Sequence, residues 1–183
     1  MRQLDKRSRL TRRRFLQTTG VTAIGVSALA TGGVLIDPRG AWAMSLTTLS
    51  PDTAKTLVQA ARDIYPHDRL AESFYAKAIE PYDAKAAKDK ALKDLLTDGA
   101  ADLDKKAATK GAKSYADLPG EKDRVAILTS ISATPFFQKL RGDLITGIYN
   151  QPEVWAKLGY EGPSAAKGGY LHRGFNDIDW LQA

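Results

Sequence analysis

The chain has 183 residues, with 27 Lys or Arg against 21 Asp or Glu, a formal charge of +6, and no cysteine. Lacking cysteine, it can hold no disulfide framework, no thiolate metal centre and no haem attached through C-x-x-C-H. The positive charge is confined to one end: residues 1–43 carry eight basic and two acidic side chains, which leaves nineteen of each sign in residues 44–183. Without a lasting basic surface, no nucleic-acid partner is expected.

Residues 1–43 have the three-part plan of an export leader. A basic start is followed by an uncharged run, Thr18–Ile36, and then by Ala41-Trp42-Ala43, with small residues at minus three and minus one. The pair Arg12 and Arg13, followed after one residue by Phe15 and Leu16, resembles the twin-arginine signal. Such signals are addresses read by a receptor. The resemblance implies the twin-arginine translocase as a partner, a periplasmic location, and export of a chain already folded. Thr18–Ile36 nearly has the length of a membrane span. Its Gly, Thr, Ser and Ala content gives weak insertion energy, and Asp37, Pro38 and Arg39 follow at once. Cleavage after Ala43 is therefore preferred to a retained anchor.

Residues 44–183 have the length of one domain, and the pattern predicts an all-α fold of about five helices. Ser50-Pro51-Asp52 opens the first, whose apolar stripe runs through Ala54, Leu57, Val58, Ala61, Ile64 and Tyr65 to a stop at Pro66. A second stripe, Leu70, Phe74, Ala78 and Ile79, meets Pro81. Ala84–Thr109 is rich in helix formers, with a thin line at Ala87, Ala91, Leu95, Leu103 and Ala107, and Gly99 is expected to divide it. Gly111–Gly120 reads as a loop from which Tyr115 and Leu118 plug the core. Glu121–Ser132 is helical through Val125, Leu128 and Ile131. Phe136–Ile148, opened by Thr134-Pro135, is the most apolar segment and is expected to be covered on most sides.

From Tyr149 to Ala183 the pattern changes. Beyond a short helix holding Val154, Trp155 and Leu158, glycines alternate with Tyr160, Tyr170, Leu171, Phe175, Ile178, Trp180 and Leu181 at no helical period. A disordered tail is poor in aromatics, so this stretch reads as an extended strap. It can complete the chain's own core, or it can lie on another protein, where Trp and Tyr are favoured. The two stand level on sequence alone.

Chemistry is scarce. There is no dinucleotide fingerprint, phosphate loop or nucleophile elbow. His67 and His172 have no zinc spacing. His67-Asp68 at a polar turn and Asp177 with Asp179 near the end are read as solvated or capping groups. No catalytic residue, metal ligand or cofactor site is assigned.

Three stretches together resemble a known family: the leader, a first helix ending in I-Y-P-H-D (Ile64–Asp68), and F-F-Q-K-L-R-G-D-L-I-T-G-I-Y-N-Q-P-E-V-W-A-K-L-G-Y-E-G-P (Phe136–Pro163). They look like the small subunit of periplasmic flavin-dependent dehydrogenases, nearest the gluconate 2-dehydrogenase subunit 3 family. The resemblance implies a subunit without cofactor, bound to a large FAD-carrying flavoprotein of the glucose–methanol–choline oxidoreductase type. That flavoprotein often passes electrons to a c-type cytochrome, and it can be carried through the membrane attached to the small subunit. The tail Lys167–Leu181 departs from the gluconate type, which leaves the substrate open. Phe136, Phe137, Trp155, Tyr160, Tyr170, Phe175 and Trp180 are the expected partner contacts. A free-standing periplasmic protein binding a small ligand under the strap is the alternative, and an enzyme using His67 or His172 is a third reading.

Overall fold

A computed structural model describes residues 33–36 and 43–175, all within one compact unit. Arg12, Arg13, Phe15, Leu16, Ala41 and Trp180 lie outside the described residues. Among the described residues seven helices follow a hairpin in chain order: β1 (Gly33–Ile36), β2 (Ala43–Leu46), α1 (Pro51–Ile64), α2 (Glu72–Ile79), α3 (Pro81–Ala86), α4 (Lys90–Ala108), α5 (Glu121–Ser130), α6 (Pro135–Tyr149) and α7 (Pro152–Leu158). The fold is predominantly helical, as the periodicity predicts, with one strand pair that it does not. β1 and β2 run antiparallel, with Gly33 opposite Leu46 and Ile36 opposite Ala43. No helix among the described residues is long and apolar enough to cross a membrane.

Helix α1 is the hub. Ser50 accepts from the Thr53 amide at 3.1 Å, Pro51 occupies the first turn, and Asp52 faces the positive end of the dipole. Ala54, Leu57, Val58, Ala60 and Ala61 are buried. The small side chains let β1, α2, α4, α5 and α6 all pack against this one helix. Tyr115 and Leu118 fill the core from the loop before α5, as their isolation in a polar stretch predicts.

Three expectations are corrected. Gly99 does not divide the long helix, which runs unbroken from Lys90 to Ala108. Its start is set instead by Asp89, which accepts from the Leu92 amide at 3.0 Å. Gly99 is the floor of a slot: a Cβ there would lie 2.1 Å from Cδ2 of Phe136. The buried line of α4 is Leu96, Ala100, Leu103 and Ala107, so the thin Ala line is out of phase in its first half, and Ala87 and Ala91 are exposed. Helix α6 is buried on one face only, through Phe136, Leu140, Leu144 and Ile148, and Ile145 is 49 % exposed.

Two carboxylates tie distant segments. Asp83, on α3, accepts from the Thr47 hydroxyl (2.6 Å) and from the amides of Thr47 (2.8 Å), Thr48 (2.9 Å) and Leu49 (2.8 Å). Burial pushes this carboxyl up, but the four donors outweigh it and hold it at about 2, below its ordinary 3.8. Asp63, at the end of α1, accepts from Arg124 Nε (2.8 Å) and Nη2 (3.1 Å) and from the Tyr115 hydroxyl (2.7 Å). Arg124 also donates to the Leu118 carbonyl at 2.6 Å.

Two measurements check this packing. Gly99→Ala should destabilise the domain by about 1–3 kcal/mol in urea unfolding, because the Phe136 ring must leave its slot. Phe136→Leu should recover part of the loss in the Gly99→Ala background. For Asp83 the folded-state value is depressed, so its contribution is complete above 3.8 and is lost as pH falls toward 2. That contribution is about 2 kcal/mol. Wild-type stability minus that of Asp83→Asn should therefore shrink by this amount between pH 5 and pH 2.

Candidate interaction surface

The C-terminal third of the domain builds a surface in layers, beginning at the end of α6. There Tyr149 meets the I-Y-P-H-D turn. Its hydroxyl lies 2.6 Å from His67 Nε2, and its ring packs edge-on against those of His67 and Tyr65. Burial, then the neighbouring Tyr65, pushes the Tyr149 phenol up, so it remains protonated. The Tyr75 hydroxyl receives the His67 amide (3.2 Å) and donates to the Tyr65 carbonyl (2.7 Å). His67 thus secures a turn, and no nucleophile accompanies it in these contacts. Among the described residues no group of three or more His, Cys, Asp or Glu side chains is placed to hold a metal ion.

Trp155 of α7 caps this layer. Its indole donates to the Tyr149 carbonyl at 2.6 Å, and Tyr160 packs edge-on against it with centroids 5.5 Å apart. Two glycines let the chain turn over the ring. Gly159 ends α7 at φ +79°, and Gly162, at φ +92°, sits where an added Cβ would come within 3.4 Å of Trp155 Cε3. Beyond this point the strap holds itself by charge. The Lys167 ammonium donates to the Glu161 carbonyl (2.7 Å) and to its carboxylate (3.1 Å), and Arg173 pairs with the same carboxylate. Hydrogen bonding from Lys167, followed by the two cationic charges, holds the Glu161 carboxyl below its ordinary range. The Arg173 guanidinium lies over the Tyr170 ring at 5.5 Å.

The described part of the strap turns its large side chains outward. Tyr160 is 48 % exposed, Tyr170 53 %, Leu171 76 % and Phe175 78 %. Among the described residues, the contiguous core contains none after Val154. The expected contacts therefore divide. Tyr160, Tyr170 and Phe175 are displayed and Trp155 is half-buried as their base. Phe136 is 5 % exposed and is spent on the chain's own core, which corrects its expected place at an interface. Phe137, half-buried, lines a separate cleft of about 300 Å³ with Asp63, Ile64, Tyr65, Val125, Leu128, Thr129, Ser132 and Arg141. Leu171, one of the strap's large side chains but not among the expected contacts, belongs to the displayed set. The Glu161 clip and the His67–Tyr149 pair join residues 6 to 82 positions apart, and only the fold brings them together.

Compared with known protein families, characterised proteins and solved structures, the chain matches none.

A burial contrast follows. Phe136→Ala should cost about 3–5 kcal/mol of unfolding free energy, as expected for a buried ring. Tyr170→Ala and Phe175→Ala should each stay within about 0.5 kcal/mol of wild type. Chemical denaturation followed by circular dichroism measures all three.

Proposed function

We propose that this chain is a non-catalytic small subunit. It accompanies a flavoprotein dehydrogenase of the glucose–methanol–choline type through twin-arginine export and remains bound in the periplasm, where the complex delivers electrons to an acceptor such as a c-type cytochrome. The FAD resides in the partner. The observation that carries this reading is the displayed strap: Tyr160, Tyr170, Leu171 and Phe175 stand exposed on a domain whose core, among the described residues, extends no further than Val154. Large apolar side chains clustered in one chain segment outside a finished core are what an interface uses as anchors. The leader adds the reason for a partner, because a pathway that carries folded proteins suits a subunit escorting a cofactor-bearing chain. The resemblance in Ile64–Asp68 and Phe136–Pro163 adds the partner's class.

The ligand-binding alternative has one supporting observation, the cleft of about 300 Å³ between α1, α5 and α6. Its walls come from Asp63 to Arg141, so it is not the pocket under the strap that the sequence suggested.

The test is recovery of a flavin-containing protein with the tagged chain from periplasm. Wild type should bring down a yellow, dye-reducing dehydrogenase. Phe175→Ala and Trp180→Ala should each lower its recovery; an anchoring aromatic is worth about 2 kcal/mol, roughly thirty-fold in affinity. Recovery of a chain without flavoprotein, monomeric and unaffected by these changes, would favour the free-standing reading. Export is checked separately: replacing Arg12 and Arg13 together by Lys should stop it, because Lys lacks the planar donor fork. Normal fractionation of that double variant would remove the escort role.

A further inference from the structure

The cleft between α1, α5 and α6 has apolar walls, formed by Ile64, Tyr65, Val125, Leu128 and Phe137, and a volume of about 300 Å³. Two contacts brace it. The Tyr65 hydroxyl donates to the Arg141 carbonyl at 3.0 Å, which joins the end of α1 to α6. The Asp63–Arg124 pair joins α1 to α5. The polar side chains of the lining differ in what they have left to offer. The Asp63 side chain is 4 % exposed and has both oxygens filled, Oδ1 by Arg124 Nη2 (3.1 Å) and Gln59 Nε2 (3.1 Å), Oδ2 by Arg124 Nε and the Tyr115 hydroxyl. The Thr129 hydroxyl donates to the Val125 carbonyl at 2.8 Å. Among the described residues, the Arg141 guanidinium and the Ser132 hydroxyl have no protein partner, and both residues are exposed.

The unused groups select a ligand. They are N–H and O–H donors beside one uncompensated positive charge, because the Asp63 charge is answered by Arg124. A cation would find the Asp63 carboxylate already occupied. A sugar would press hydroxyls against apolar walls, where unpaired polar groups are costly. A carboxylate on a hydrocarbon body meets both demands. Its two oxygens match the planar fork of a guanidinium, and its body covers the apolar walls. Size narrows the class further. A volume of about 300 Å³ lies at the lower end for ligand sites. It is roughly ten times the liquid share of one water, which suits a ligand of on the order of ten non-hydrogen atoms. We propose that this cleft binds a small apolar carboxylate of the medium-chain fatty-acid kind, with the carboxylate on Arg141 and Ser132 and the hydrocarbon body along Val125, Leu128 and Phe137. The site is separate from the strap and does not rest on the flavoprotein reading.

The probe is octanoate below its micellar concentration, compared with octan-1-ol and octylammonium, which carry the same chain on other head groups. Binding to the full chain is followed residue by residue through amide chemical shifts. Octanoate should shift the amides of Ile64, Val125, Leu128, Phe137 and Arg141. It should bind about fivefold more tightly than octan-1-ol, the gain expected of one partly screened ion pair. Added salt should weaken octanoate and leave octan-1-ol unchanged. Arg141→Gln should erase the advantage of octanoate while octan-1-ol binding and helical dichroism persist. Arg141→Lys, which keeps the charge and loses the fork, should retain part of it. Val125→Phe, which narrows the cleft, should weaken both ligands. Equal affinity for octanoate and octan-1-ol, tighter binding of octylammonium, or octanoate binding that survives Arg141→Gln unchanged would overturn the assignment. Shifts confined to the strap or to the basic residues of 1–43, or no shifts at all, would overturn it as well. So would self-association of the chain that Val125→Phe abolishes, which makes a second copy the occupant of the cleft.

Discussion

The Asp63 carboxylate is the joint on which the second half of the domain depends. It closes α1, receives a two-pronged guanidinium from α5, and takes the Tyr115 hydroxyl from the connecting loop. Its side chain is almost wholly buried, as is most of Arg124. A charge so placed is tolerable only because its lone pairs are filled, and removing either partner of such a pair costs about 3–5 kcal/mol. Burial, then the neighbouring Asp63 charge, pushes the Tyr115 phenol up, which keeps it a donor. Without cysteine to staple it, the loop before α5 is fixed by this carboxylate and by the two side chains it plants in the core. Asp83 does the same for the other end of the domain, fastening Thr47–Leu49 to α3. A domain with an Ala-lined hub is held in register by these two polar joints.

The hub itself was legible in the sequence, because one helix face needs only a local period: Ala54, Leu57, Val58 and Ala61 are buried as spaced. The caps at Ser50 and Thr134 were legible for the same reason, each acting three residues ahead. Gly99 was misread because glycine weakens a helix by propensity but can also admit a neighbour, and the neighbour, Phe136, lies 37 positions away. Helix α6 was judged by its composition, which does not reveal that Ile145 faces away from the stripe at Leu140, Leu144 and Ile148. The two carboxylate joints were invisible, since Asp63 and Asp83 look like any surface acid until Arg124 and Thr47 arrive from 61 and 36 positions away. At the candidate surface, the aromatic strap was legible as an anomaly of composition. Its outward display was not, because that depends on Glu161 gathering Lys167 and Arg173.

The two ends of the chain then share one logic. Core packing begins at Met44 and ends at Val154 among the described residues. On the proposed reading, what lies on either side serves something else: a leader the export machinery, and a strap the flavoprotein. The strap is ordered by exposed ion pairs, each worth little in water. Such a segment has its large side chains already gathered yet remains loosely attached to the helices. Prior ordering reduces the entropy lost on binding, and loose attachment lets the segment adapt to its partner.

The central claim is that the helical core is complete without the strap. Deletion of residues 164–183 tests it most directly, since it spares Gly162 and the Trp155–Tyr160 contact. Urea unfolding followed by helical dichroism should give a free energy within about 0.5 kcal/mol of the full chain, with an unchanged slope. A loss of several kcal/mol, or a non-cooperative transition, would place the strap inside the core and contradict the account.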